Sequence, residues 1–130
     1  SFRRLLAAGE HDSVLIGWSA DHSDPDNFFR PILTCAAKHS VNNRALWCNS
    51  EFDALVTAAI RTTDIDKRQR FYHQAQQLLA EQVPIVPLAH SIRYQVARGS
   101  IRNIQPPSLS GIRLHAVYSD HKAAEETHHD

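Results

Sequence analysis

At 130 residues with 42% hydrophobic side chains, the chain holds enough apolar material for a core of its own. Fourteen Lys and Arg balance fourteen Asp and Glu, and no basic block marks a phosphate-binding face, which argues against nucleic acid as a partner. No apolar run approaches the roughly 20 residues of a membrane-spanning helix.

In chain order, Phe2, Leu5 and Leu6 fall on one helical side with Arg3 and Arg4 opposite, so residues 1–9 read as a helix entered midway and stopped by Gly9. Ser13-Val14-Leu15-Ile16-Gly17 is short, apolar and β-branched, which predicts a buried strand with Gly17 as its exit. Such a strand delivers Trp18, Ser19, Ala20 and Asp21 to a surface. Asp24-Pro25 predicts a helix start, because the Asp side chain can accept from first-turn amides and Pro there loses no needed donor. The helix carries Phe28, Phe29, Ile32 and Leu33 inward, kinked or shortened at Pro31.

Residues 34–49 show no period and read as a loop containing both cysteines, Cys35 and Cys48. Their spacing leaves two readings open, a pair of reduced thiols or a disulfide formed in an oxidising compartment. Without a Cys-x-x-Cys or an adjacent activator, redox chemistry is not expected. Ser50 is the expected N-cap of the next helix, with Asp53 as its capping-box acid. Phe52, Leu55, Val56, Ala59 and Ile60 make its apolar face, and it ends near Arg61-Thr62-Thr63. A second helix starts around Asp64 and buries Phe71, Tyr72, Ala75, Leu78 and Leu79, with Lys67, Arg68 and Arg70 facing water. The two helices read as an antiparallel pair packed on a sheet, with no chemistry assigned to either.

Pro84 ends that helix. Ile85 to Ala89 predicts an edge or bulged strand because Pro87 removes a ladder donor, and Ile92 to Ala97 predicts another. Gly99 to Pro107, with Pro106-Pro107, is an irregular connector; Ile112 to Tyr118 alternates as a last strand. Residues 119–130 are charged and read as a disordered tail ending in His128-His129-Asp130.

Between the first strand and its helix stands Asp21, close to Trp18, and spacing alone leaves a simple turn role open for it. The nine histidines show no HxH, HExxH or His/Cys pairing at ligand spacing, so neither a metal site nor a cofactor is expected. A thiol hydrolase built on Cys35 or Cys48, or a carboxylate cluster of Asp21, Asp24 and Asp26, would be the enzymatic alternatives. Asp24 and Asp26 are better used at a helix start, and no enzyme is expected.

Gly17-Trp18-Ser19-Ala20-Asp21 followed by Asp24-Pro25-Asp26-Asn27-Phe28 resembles the signature of the periplasmic peptide-binding proteins of ABC importers, the dipeptide and oligopeptide binders (solute-binding protein family 5). Cys35-Ala36-Ala37, Trp47-Cys48, Phe52-Asp53, Lys67-Arg68, Tyr72, Ala75-Gln76 and the run from Pro84 to His90 continue the match in order, and the Sap antimicrobial-peptide-resistance branch is the most similar. The resemblance implies an α/β fold, the C-terminal portion of a two-lobed type II binding protein with a mixed sheet and packed helices. It implies that residues 1–98 belong to the ligand-binding second lobe, that 99–118 cross over and return to the first lobe, and that the missing N-terminal part is needed. It further implies a Cys35–Cys48 disulfide, Asp21 as the anchor for a peptide α-amino group with Trp18 and Ser19 lining the same site, and membrane permease subunits as partners. Haem or another small solute is the alternative ligand, with His22 the histidine nearest the proposed cleft.

Overall fold

Four helices and one two-stranded ribbon make up the computed structural model, which describes residues 1–40, 42–92, 94–105 and 114–120. Two units separate between Pro87 and Leu88.

In the first unit, α1 (Phe2–Ala8) ends at Gly9, whose φ of 71° places it in the left-handed region that glycine enters without steric cost. The amide of Gly9 donates to Leu6 O and that of Glu10 to Leu5 O, the two bonds of a Schellman stop. Leu6 is buried while Phe2 and Leu5 stay exposed, so only part of the expected apolar side is used.

The predicted strand over Ser13 to Gly17 does not form, and Leu15 is 79% exposed. A strand exists only through ladder bonds to a neighbour, and no described residue offers it one.

Next comes α2 (Asp26–Leu33), which passes through Pro31 rather than stopping there. Asp24 caps it from two residues upstream: its Oδ1 accepts the Asp26 amide at 2.9 Å, and its carbonyl accepts the Asn27 amide at 3.0 Å. Phe29 and Leu33 are buried, with Phe28 and Ile32 packed beside them, as the spacing predicts.

The loop after α2 holds a 3₁₀ turn at Ala36–His39 and is closed by the Cys35–Cys48 disulfide, with the two Cα atoms 4.4 Å apart. Asn43, fully buried, ties it from inside, donating from Nδ2 to Thr34 O and Trp47 O at 3.2 and 2.8 Å.

For α3 (Ser50–Arg61) the cap lies one residue earlier than expected: Asn49, not Ser50, accepts the Phe52 amide at 3.0 Å. Asp53 is thereby freed from a capping box and instead accepts the Cys35 amide on both oxygens, at 3.1 and 3.2 Å. Asp64 caps α4 (Ile65–Gln82) by accepting the Lys67 amide, and Val83 ends it with a φ of 48°.

Together α3 and α4 form the expected pair, but the described residues of this unit contain no sheet for it to pack on; α2 supplies the third side of a core that contains Phe29, Leu33, Phe52, Val56, Ala59, Tyr72 and Ala75. Phe29 is the hinge pin of this cluster, stacked on Tyr72 with centroids 5.5 Å apart and edge-on to Phe52 at 5.8 Å. Full burial of one such ring stabilises by about 1.5–3 kcal/mol relative to exposure. Aromatics from three helices thus lock α2, and with it the segment before α2, to the helical pair.

In the second unit, the stretches 85–89 (whose first three residues close the first unit) and 92–97 form no strand among their described residues, and Val96 is 92% exposed. The pairing lies elsewhere: β1 (Ile101–Arg102), inside the predicted connector, runs antiparallel to β2 (Tyr118–Ser119) with Ile101 opposite Ser119. Asn103, at a φ of 59°, donates from Nδ2 to Ala116 O and closes the ribbon. Pro106-Pro107, the start of the last predicted strand at Ile112-Arg113, and residues 121–130 lie outside the described residues.

Candidate ligand site

The segment Trp18 to Asp24 is built by α2. Asn27 lies in the first turn of that helix, and its side chain points back along the chain. The Asp21 amide donates to Asn27 Oδ1 at 2.9 Å, Trp18 Nε1 donates to the Asn27 carbonyl at 2.9 Å, and Asn27 Nδ2 meets His22 Nε2 at 3.1 Å. Trp18, Asp21 and His22 are therefore gathered around one residue that sequence reasoning passed over. Its signal was present: Asn is a mediocre helix former because its amide competes for local backbone groups, and here it does so in the first turn.

Asp21 and Ser19 are exposed, as is Trp18 at 38%. Two grooves of this unit lie elsewhere: one of about 320 Å³ runs along Arg30, Thr34, Asp53, Val56 and Ile60, and another lies between α3 and α4. Among the described residues the three candidates thus lie on an exposed face.

Behind the loop stands an ion pair. Asp24 Oδ2 accepts from Arg68 Nη2 of α4 at 2.5 Å, and the Tyr72 hydroxyl lies 3.5 Å from the same nitrogen. The Asp26 amide, followed by the Arg68 guanidinium, holds the Asp24 carboxyl below the usual carboxylate range, with burial opposing. Burial raises the Tyr72 phenol above its ordinary value, so it stays protonated and can donate to Asp24 Oδ1, 3.4 Å away. Arg68, expected to face water, instead fixes the start of α2 to the second helix of the pair.

Both cysteines are consumed by the disulfide, which leaves no thiol nucleophile. Among the described residues no three His, Cys, Asp or Glu side chains come together in a way that could hold a metal ion. None of the described helices is long and apolar enough to cross a membrane.

Comparison with known proteins points to a class: over most of its length the chain is similar to periplasmic peptide-binding proteins, dipeptide binders among them. It is 48% identical over 110 residues to di/tripeptide-binding protein 1 of Pseudomonas aeruginosa and 40% identical over 110 residues to the probable ABC transporter periplasmic-binding protein SapA of Escherichia coli. Each match covers 85% of this chain and 20% of the relative. The crystal structure of a dipeptide-binding protein from Pseudoalteromonas sp. SM9913 in complex with Met-Leu superposes with a TM-score of 0.81 at 42% identity, covering 91% of this chain and 23% of that one. The chain spans about one fifth of the length of the curated relatives it matches. No family model matches.

Proposed function

We propose that this segment supplies the amino-terminus anchor of a peptide-binding cleft. Asp21 accepts the α-ammonium group of a bound peptide, Trp18 forms a flat wall beside it, and Ser19 contributes through its backbone. A charge-assisted bond to a carboxylate is stronger than a neutral one, and it gains further when a second lobe closes over it, although desolvation offsets part of the gain. Residues 1–98 belong to the ligand lobe and 99–118 cross over and return to the first lobe, with closure about the hinge between the lobes burying the ligand. The complete protein acts in the periplasm of a Gram-negative bacterium as the substrate-binding component of an ABC importer. It hands peptides, antimicrobial peptides within the candidate range, to membrane permease subunits. It binds and releases its ligand without chemistry.

The observation that carries this reading is the superposition, over 91% of this chain and at 42% identity, on a dipeptide-binding protein solved with Met-Leu. Calorimetry on the complete protein tests it. Free dipeptides bind, N-acetylated ones bind at least about thirtyfold more weakly, since truncating one partner of a desolvated charge pair costs 2 kcal/mol or more, and Asp21→Asn removes the difference. Equal affinity for the two peptide forms would refute the anchor.

A further inference from the structure

We propose that Asn27 is the positioning residue of the ligand loop and that its side-chain amide makes the loop's geometry depend on the protonation state of His22. Resting on the peptide-binding reading for its affinity readout, the inference stands on hydrogen-bond chemistry for the rest.

Asn27 touches the loop three times, at Trp18, Asp21 and His22. The Asp21 backbone N–H can only donate, so the amide oxygen of Asn27 must face it. The amide's NH₂ must then face His22, and NH₂ can also only donate. His22 Nε2 is therefore the unprotonated nitrogen of a neutral imidazole that carries its proton on Nδ1. Protonating His22 sets N–H against N–H. Turning the amide over relieves that conflict only by aiming NH₂ at the Asp21 N–H. One of the two contacts is lost either way, and the residue released or displaced is the proposed anchor or its neighbour.

The charged groups around His22 act on this balance from both sides of the loop. Asp21 adjoins it in the chain; Asp24, two residues on, is held by Arg68 from α4; and Asp26 is paired with Arg30 within α2 at 3.2 Å. Protonating His22 in acid exchanges the neutral arrangement for a looser loop with a cation near Asp24. A cation next to the anchor also competes with the ligand's ammonium for the same negative field. Both effects act in one direction: the site holds its ligand at neutral pH and loosens its grip in acid.

The test is the affinity of the complete protein for Met-Leu at pH 7.0 and pH 5.0, an interval over which the dipeptide's own groups barely change charge, since α-amino groups titrate at about 7.7–8.0 and α-carboxyls at about 3.3–3.7. The unsubstituted protein binds roughly three- to tenfold more weakly at pH 5.0, the factor that corresponds to one net hydrogen bond. In Asn27→Asp one carboxylate oxygen keeps the Asp21 N–H and the other accepts from protonated His22, so acid no longer weakens binding and the sign of the pH effect is lost or reversed. His22→Ala gives a flat profile. A flat profile in the unsubstituted protein, or the same acid weakening in Asn27→Asp, overturns the proposal. Imidazole ¹⁵N NMR without ligand decides the contact independently: an unprotonated Nε2 at neutral pH supports it, and a proton on Nε2 overturns it. If Met-Leu binds at neither pH, the peptide reading fails on that measurement, while the tautomer measurement still decides the inference.

Discussion

Arg68, in the first turn of α4, grips the carboxylate of Asp24, which lies 44 residues earlier and caps α2 with its other oxygen. One carboxylate thus joins the helix that carries the candidate loop to the helix pair that forms the core. Phe29 and Tyr72 repeat the join in apolar form one turn deeper, ring on ring. The loop from Trp18 to Asp21 sits on a base fixed twice.

Because the folded-state value of Asp24 is lowered, its contribution to stability is present above the ordinary carboxylate value, near 3.9, and is lost as pH falls through the lower folded value. Asp24→Asn therefore lowers the urea midpoint at pH 6, and the gap to the unsubstituted protein closes as pH is taken below about 4. Urea titrations at pH 6 and pH 2.5 measure it. A gap of the same size at both would show that Asp24 acts by its shape alone.

The disulfide closes a loop with a sequence separation of 13 between Cys35 and Cys48. On the chain-entropy estimate, replacing both cysteines by Ser lowers stability by about 3 kcal/mol. Asn43 and Asp53 brace the same loop by hydrogen bonds to Thr34, Trp47 and Cys35, so the reduced loop retains its position. Equilibrium unfolding with and without reductant gives the magnitude, and unchanged amide protection at Cys35 in the Ser variant tests the bracing by Asp53.

Val83 takes the left-handed conformation at the end of α4, where a β-branched side chain pays a steric penalty and 56% of its surface is exposed. Its amide is bonded to Leu79 O at 2.8 Å, a bond that glycine keeps. Val83→Gly therefore stabilises by about 1 kcal/mol, against the usual sign for glycine substitution. A lower thermal midpoint would mean that the valine's remaining contacts outweigh the relief.

Much of the local structure could be read from residue patterns. The stop at Gly9, the inward face of α2, the stripes of α3 and α4 and the cap at Asp64 all depend on neighbours within about one helical turn, and such short-range chemistry is written in consecutive letters. At Asn49 and Ser50 two good caps stand side by side, and only the turn of the backbone chose the first. The family, too, was visible in an ordered set of short motifs, and the comparisons bear it out.

What depends on distant partners could not be read that way. Ser13 to Gly17 carries the composition of a buried strand, but composition supplies no ladder partner, and without one the segment stays unpaired and Leu15 exposed. Ile101-Arg102 lies in a stretch that reads as connector and pairs because Tyr118-Ser119 arrives beside it. Arg68 has the spacing of a solvent-facing residue until α2 brings Asp24 within reach. The amino-acid order by itself determined where helices start, stop and turn their apolar sides. Tertiary structure decided which polar groups meet, because a hydrogen bond requires two atoms within about 3 Å, and no one-dimensional spacing states that distance.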